Sequence, residues 1–263
     1  MSDSDVVKYE VKRKYCEIIL ERPPVNAFDV TLLRGLYNAL DKADNDPKVR
    51  CVLIKSRGKV FSAGVDTKAL MSGEYTPEMM EEFGKLTTRK VPLKLLLMKK
   101  PVVCMIHGTA IGYGMIVLMA SDLRIFADRP LTEMFLKMPE VELSMPTAAG
   151  SSLLPVLTFG ISFAKSIMFT SDKFGVKDLP PGYATRIFPP DIIDSETEKF
   201  MQQLAKRKES ITYMLKAKMT LHNKNYIERC FDLEQEVMQW EQKSRLPMEE
   251  WDKVIQDLFK KYS

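Results

Sequence analysis

The sequence is poor in the features that mark several classes of protein. Its four cysteines, Cys16, Cys51, Cys104 and Cys230, lie far apart and make no C-x-x-C pair. That argues against a disulfide framework or a zinc site, and no metal is expected. Cys16, Cys51 and Cys104 fall in apolar strand-like runs, and all four read as reduced residues in a reducing compartment. Charge of one sign is never concentrated: the net charge is +4 and the lysines and arginines are scattered, which weighs against nucleic acid as the main partner. The longest apolar run, Met115 to Ala120, is far too short to span a bilayer. The opening segment MSDSDVVKYE is acidic and lacks the apolar stretch of a secretion signal. Cytoplasm is therefore the default expectation, with mitochondria and peroxisomes left open. Internal repeats and low-complexity tracts are also absent.

What is there is an ordinary globular composition. The chain has 263 residues, 45% of them hydrophobic and 28% charged, enough to bury a sizeable core. Strand-like runs occur at Tyr15–Leu20, Cys51–Lys55, Val102–Ile106 and Leu123–Phe126. Helical patterns lie between them: Asp29 is a candidate N-cap for DVTLLRGLYNALDKAD, and Pro77 stands in the first turn of TPEMMEEFGKLTTRK. Strands alternating with helices predict an α/β core with a largely parallel sheet. The proline-rich link LPPGYATRIFPPD, Leu179 to Asp191, precedes a purely helical region. The expected division is a core over 1–194 and a helical region over 195–263, the latter comprising SETEKFMQQLAKRKESITYMLKAKM, YIERCFDLEQEVMQWEQKS and EEWDKVIQDLFKKY.

The stretch HGTAIGYGMIVLMASD, His107 to Asp122, places Gly108, Gly112 and Gly114 where a strand turns into a helix. Free amides at such a place bind negative charge. One reading is a dinucleotide cradle, with Asp128 as the acidic residue about 20 positions on. Against it, such a fingerprint follows the first strand of a sheet, whereas here at least two strands come earlier. The chain also has no Tyr-x-x-x-Lys pair. A second small-residue turn, KVFSAGVDTKAL from Lys59 to Leu70, ends a strand-like segment in Ser62-Ala63-Gly64. Two such turns could aim two backbone amides at one oxygen.

With these pieces in place the sequence resembles the crotonase, or enoyl-CoA hydratase/isomerase, superfamily. The resemblance rests on ERPPVNAFDVTLLRGLYNAL from Glu21, VFSAGVDTKAL from Val60, KPVVCMIHGTAIGYG from Lys100, ASDLRIFAD from Ala120 and MPEVELSMP from Met138, in that order. It implies a spiral of ββα units followed by a helical C-terminal region that packs homotrimers or hexamers. It also implies an acyl-CoA thioester as substrate, with its enolate held by two backbone amides. By motif position these belong to Val65 and to Tyr113, which stands between Gly112 and Gly114. Arg22, Pro24 and Ala27 fall where the family's first loop lines the coenzyme A site, and Ala63, Asp66 and Thr67 border it through their backbone. No cofactor is expected, because coenzyme A is part of the substrate. Tyr113 departs from the usual glycine, and its ring is either a packing residue or a wall of the acyl pocket. His107 is expected to make a structural hydrogen bond.

The family's hydratases use two glutamates. The position of the first is Ile116 in this chain, and the next carboxylate is Asp122, expected on a helix and pointing elsewhere. The second position is Glu140, which Met138, Val141 and Met145 are expected to desolvate. A lone base suits moving a proton from carbon to carbon, the chemistry of the Δ3,Δ2-enoyl-CoA isomerases, whose Met-x-Glu-Val-Asp segment the text MPEVEL resembles. Glu142 is the alternative base, on the same face as Glu140 if the segment is a strand. Enoyl-CoA hydration, thioester hydrolysis and decarboxylation are rival reactions on the same scaffold. A non-catalytic acyl-CoA- or RNA-binding protein is a rival of another class, resting on a basic helix with Lys206, Arg207, Lys208, Lys216 and Lys218, whose simpler reading is a solvated face. Phe231, Val237, Met238 and Trp240 form an apolar face in the C-terminal helices.

Overall fold

The computed structural model describes residues 2–145 and 147–243, together with Lys253, Gln256, Asp257, Lys260 and Lys261. After a single turn, α1 (Asp3–Val6), strands β1 (Val7–Lys12) and β2 (Tyr15–Leu20) pair antiparallel, with Val7 opposite Leu20. The chain then crosses over through α2 (Val30–Asn45) to β3 (Cys51–Ser56), which lies parallel to β2. The pattern of α2 explains its place. Asp29 accepts from the Leu32 amide at 2.7 Å, which satisfies one open donor of the first turn. Val30, Leu33, Leu36, Leu40 and Ala43 make one buried stripe against the sheet.

A longer excursion follows, through α3 (Thr67–Met71), α4 (Pro77–Lys85), a π-helical turn (Leu86–Lys90) and α5 (Val91–Leu97). The helix expected to open at Pro77 therefore runs on past Lys90. Pro92 cannot donate to the turn before it, and the wider π turn lets the helix continue through that residue. Strand β4 (Val102–Ile106), a short β5 (Ala110–Ile111), α6 (Tyr113–Ala120) and β6 (Leu123–Ala127) come next, then β7 (Leu136–Lys137), α7 (Leu154–Phe159), α8 (Ile161–Thr170) and β8 (Arg186–Phe188).

The main sheet runs in the order β1-β2-β3-β4-β6-β8. After the first hairpin every neighbour is parallel, so β2 and β4 are buried along their whole length and read as continuous apolar runs. The order advances in one direction, without the reversal that gives a doubly wound sheet its nucleotide crevice. That topology removes the dinucleotide reading of the glycine cluster. The second strand of each unit is short: β5 pairs with β7, and single bridges join Phe28 to Val65, Ser62 to Ala110 and Leu136 to Phe174. A main sheet and this narrow second layer, both advancing with the chain, make the ββα spiral. The helix α6 between them is buried on every side.

The helical region begins with α9 (Ile193–Ala205), so the division at 194/195 falls within its first turn, and continues as α10 (Glu209–Leu221) and α11 (Lys224–Lys243). The long helix expected from Ser195 is thus two, broken at Lys206–Lys208. The basic helix of the RNA-binding reading does not form: these residues sit in a turn, and Lys216 is buried on α10. Its ammonium pairs with Asp122 at 2.6 Å and donates to the Lys100 carbonyl at 2.9 Å, tying α10 to the sheet. Asp122 is not helical as expected. It follows α6 and also accepts from the Val102 amide at 2.7 Å. Phe231 packs with Leu153 and Ile227, and Val237 and Met238 are half-buried. Of the expected third C-terminal helix, Lys253, Gln256, Asp257, Lys260 and Lys261 are described and helical; its other residues and the side chain of Trp240 lie outside the described residues. Cys16, Cys51, Cys104 and Cys230 are all free thiols. Among the described residues no helix is long and apolar enough to cross a membrane, and no cluster of His, Cys, Asp or Glu could hold a metal ion.

Candidate active site

Four loops meet at the N-terminus of α6. The first, Glu21 to Asp29, is held by Asn26, a buried residue with φ +49°. Its side-chain amide donates to the carbonyls of Arg57, Val60 and Phe61, at 2.8, 3.2 and 3.3 Å, and its oxygen accepts from the Arg22 amide at 2.8 Å. Arg22 uses its guanidinium within the loops: Nε meets Asp29 at 3.0 Å, one terminal nitrogen the Ala27 carbonyl at 3.0 Å and the other Asp66 at 2.7 Å. Its role is thus to join two loops, and Pro24 and Ala27 lie in the first of them. Burial pushes the Asp66 carboxyl up, but the Ala69 amide and Arg22 outweigh it and hold the group below its ordinary value. Asp66 thereby caps α3.

The second loop carries Ser62 to Thr67, and its amides can be accounted for one by one. Ala63 donates to Val25, Gly64 to the Ser62 hydroxyl, Asp66 to Phe28 and Thr67 to Val65. The amide of Val65 donates to no acceptor among the described residues. The third loop leads into α6. Here Ala110, Ile111 and Gly112 donate to Phe135, Ser62 and Lys137, while Met115 and Ile116 donate to Gly112. The amides of Tyr113 and Gly114 open the helix without acceptors among the described residues, as first-turn amides do.

These two loops touch. Gly64 has φ +90°, and a Cβ there would stand 3.0 Å from the Ile111 carbonyl oxygen and 3.5 Å from the Tyr113 nitrogen. Only glycine gives both the backbone angle and the close approach. Gly108 is required for approach alone, because a Cβ would lie 2.2 Å from the Lys59 carbonyl oxygen. His107 donates through Nε2 to the Gly58 carbonyl at 2.8 Å and so braces the same pair of loops.

The fourth loop brings Glu140. Gly112 donates to Lys137 at 2.9 Å, and the ring of Pro139 lies 3.7 Å from where a Gly112 Cβ would be, which fixes the segment preceding Glu140 against the start of α6. Residues 140–144 form turns, which corrects the strand reading of this segment. Glu142 therefore does not share a face with Glu140; it is exposed and pairs with Lys137. Glu140 keeps one carboxylate oxygen buried with no partner among the described residues. Burial pushes its pKa above the ordinary 4.5. Of the neighbours expected to desolvate it, Met138 is fully buried but Val141 is 51% and Met145 38% exposed. Ile116 is buried on α6, so an apolar side chain stands at the position that a second carboxylate would take. The motifs assign no bond to Asn26, to the Ser62 hydroxyl or to Pro139. The visible signal was an Asn in a proline-rich loop ahead of an N-cap, since Asn tolerates positive φ and binds several backbone groups.

A family model described as enoyl-CoA hydratase/isomerase matches residues 10–247. The chain belongs to that family. A Bacillus subtilis (strain 168) protein named probable enoyl-CoA hydratase is 32% identical over 141 residues, a stretch that spans 52% of this chain and 52% of that relative. The crystal structure of an enoyl-CoA hydratase/isomerase from Pseudoalteromonas atlantica T6c has a TM-score of 0.79 at 21% identity, covering 98% of each chain. That of an enoyl-CoA hydratase from Mycobacterium marinum has a TM-score of 0.72 at 27% identity, covering 82% of this chain and 99% of that one. These likenesses bear out the fold expected from the motifs.

Proposed function

We propose that this protein is an enoyl-CoA isomerase that shifts the double bond of a 3-enoyl-CoA to the 2-position. The observation that carries the reading is Glu140. It is the one carboxylate among the described residues with a buried, unpartnered oxygen, and the segment that precedes it packs against the start of α6. The thioester oxygen binds between the amides of Val65 and Tyr113. Glu140 takes a proton from C2, the charge spreads into the dienolate, and the same carboxylic acid returns the proton at C4. Each amide contributes about 3 kcal/mol to lowering the barrier. The buried Ile116 supports the exclusion of water from C3 and offers no second base to activate it.

The relatives' names keep hydration as the second reading. Purified protein is given a 3-enoyl-CoA and, separately, the matching 2-enoyl-CoA. Isomerisation appears as absorbance of the conjugated thioester in the first sample, with little loss of it in the second. Rapid hydration of the 2-enoyl-CoA would refute the single-base scheme. Glu140→Gln separates the other rivals, because hydrolysis or decarboxylation can survive it whereas proton transfer between carbons cannot. The reading also carries a homotrimer or hexamer. The exposed apolar residues Ile211, Met214, Leu215 and Met219 on α10 support self-association, and light scattering of the eluted protein tests it.

A further inference from the structure

The loop that carries the open Val65 amide meets the first loop in a single parallel bridge, between Phe28 and Val65. The Phe28 amide donates to the Gly64 carbonyl at 2.7 Å, and the Phe28 carbonyl accepts from the Asp66 amide at 3.0 Å. Because such a bridge takes its bonds from the residues on either side of Val65, the amide of Val65 itself is left on the opposite edge. Phe28 reaches the other open amide's residue as well. Its ring stands edge-on to the buried Tyr113 ring, with centroids 4.9 Å apart.

Two hydrogen bonds between loops fix little alone, and Arg22 closes on them from both sides. Its guanidinium bonds the residue before Phe28, through the Ala27 carbonyl at 3.0 Å, and the residue after it, through Asp29 at 3.0 Å. The third bond, 2.7 Å long, goes to Asp66, the residue after Val65. Holding three acceptors at once takes the planar fork of an arginine. Asp29 and Asp66 also cap α2 and α3 through the Leu32 and Ala69 amides, at 2.7 and 3.0 Å, so the clamp is braced by two helices. Charge gives Arg22 a second effect. Among the described residues it is the one cation paired with either carboxylate, and the three side chains are only 20%, 16% and 16% exposed. Without it, two poorly solvated carboxylates would stand unbalanced around the residue that receives the developing negative charge.

We propose that Arg22 is a positioning residue for the oxyanion: by clamping the Phe28–Val65 bridge and balancing Asp29 and Asp66, it aims the Val65 amide at the thioester oxygen. This rests on the acyl-CoA reading of the site, so the first readout needs binding but no turnover. Octanoyl-CoA labelled with carbon-13 at its carbonyl is bound to the wild type, Arg22→Gln and Arg22→Lys, and the carbonyl stretch is followed by isotope-edited infrared spectroscopy. In the wild type the two amides polarise the carbonyl and lower its frequency below that in solution. Arg22→Gln moves the band back toward the solution value. Arg22→Lys, which keeps the charge but lacks the fork, gives an intermediate band, and it carries the same test if the glutamine variant does not fold.

Kinetics with a 3-enoyl-CoA supply the second readout. A donor displaced from the oxyanion lowers kcat ~10-fold or more in Arg22→Gln and leaves KM nearly unchanged. A role confined to holding the fold would lower the melting temperature while the folded variants kept the wild-type band and kcat, and that result overturns the proposal. So does a rise in KM with kcat unchanged, which would make Arg22 a binding residue. A wild type that binds octanoyl-CoA without any shift of the band overturns the paired amides together with the proposal. Failure of the wild type to bind it sinks the acyl-CoA reading itself and everything built on it.

Discussion

Replacing Gly64 by alanine probes the meeting of the two loops directly, and Gly73 supplies its control. Both glycines have positive φ, +90° and +76°, so alanine at either pays a backbone penalty of about 1–2 kcal/mol. They differ in surroundings. Around Gly73 a Cβ would meet nothing within 4 Å, whereas at Gly64 it would stand 3.0 Å from the Ile111 carbonyl oxygen, on the approach to the Tyr113 amide. That contact is tighter than ordinary packing, and the neighbour is backbone, so the loops must part by a few tenths of an ångström. If the amides of Val65 and Tyr113 share one oxyanion, such a displacement costs about tenfold in kcat or more, since a 1 Å misplacement is worth roughly a hundredfold. The assay is kcat/KM for a 3-enoyl-CoA beside urea melts of both variants. Similar stability losses with turnover lost only in Gly64→Ala are expected. A Gly64→Ala enzyme that is destabilised like Gly73→Ala but turns over like the wild type would refute the paired-amide geometry.

The raised pKa of Glu140 fixes two signs. As the base must be ionised, the acid limb of kcat/KM should lie above the ordinary 4.5, and a limb at or below that value would remove its desolvated role. For stability, a carboxyl whose folded pKa is raised helps folding below its unfolded value and loses that contribution as pH climbs through the folded one. Glu140→Gln should therefore melt higher than wild type at neutral pH, with the gap closing in acid, as followed by circular dichroism across pH. Glu234, buried on α11, accepts from the Gly150 amide at 2.7 Å and from the Ser152 amide and hydroxyl at 2.8 and 2.5 Å. Glu234→Ala leaves those donors dry and should cost about 2–4 kcal/mol in urea unfolding; an unchanged midpoint would show that the bonds carry no net stability.

Much of this was legible in the chain. The four main strands were visible because buried parallel strands are continuous apolar runs, and α2 because Asp29 and its apolar stripe obey local rules that need no partner. The second layer was not, since single bridges such as Phe28 to Val65 are too short to leave any periodicity. Glu140 was readable from its place in MPEVEL, but the turn that separates it from Glu142 was not, because an alternating text fits a strand equally well. Lys216 looked like one more solvated lysine, and only its pairing with Asp122 across 94 residues makes it part of the interior.

The sequence by itself determined the strand-and-helix alternation, the family motifs and the single carboxylate, because each depends on residues near one another in the chain. The tertiary structure alone decided which amides, at Val65 and Tyr113, are left open among the described residues, and that Arg22 is used to join two loops. The physical reason is the same in each case. A hydrogen bond's absence is known only when every neighbour that could have supplied it is in place, and those neighbours come from loops far apart in sequence.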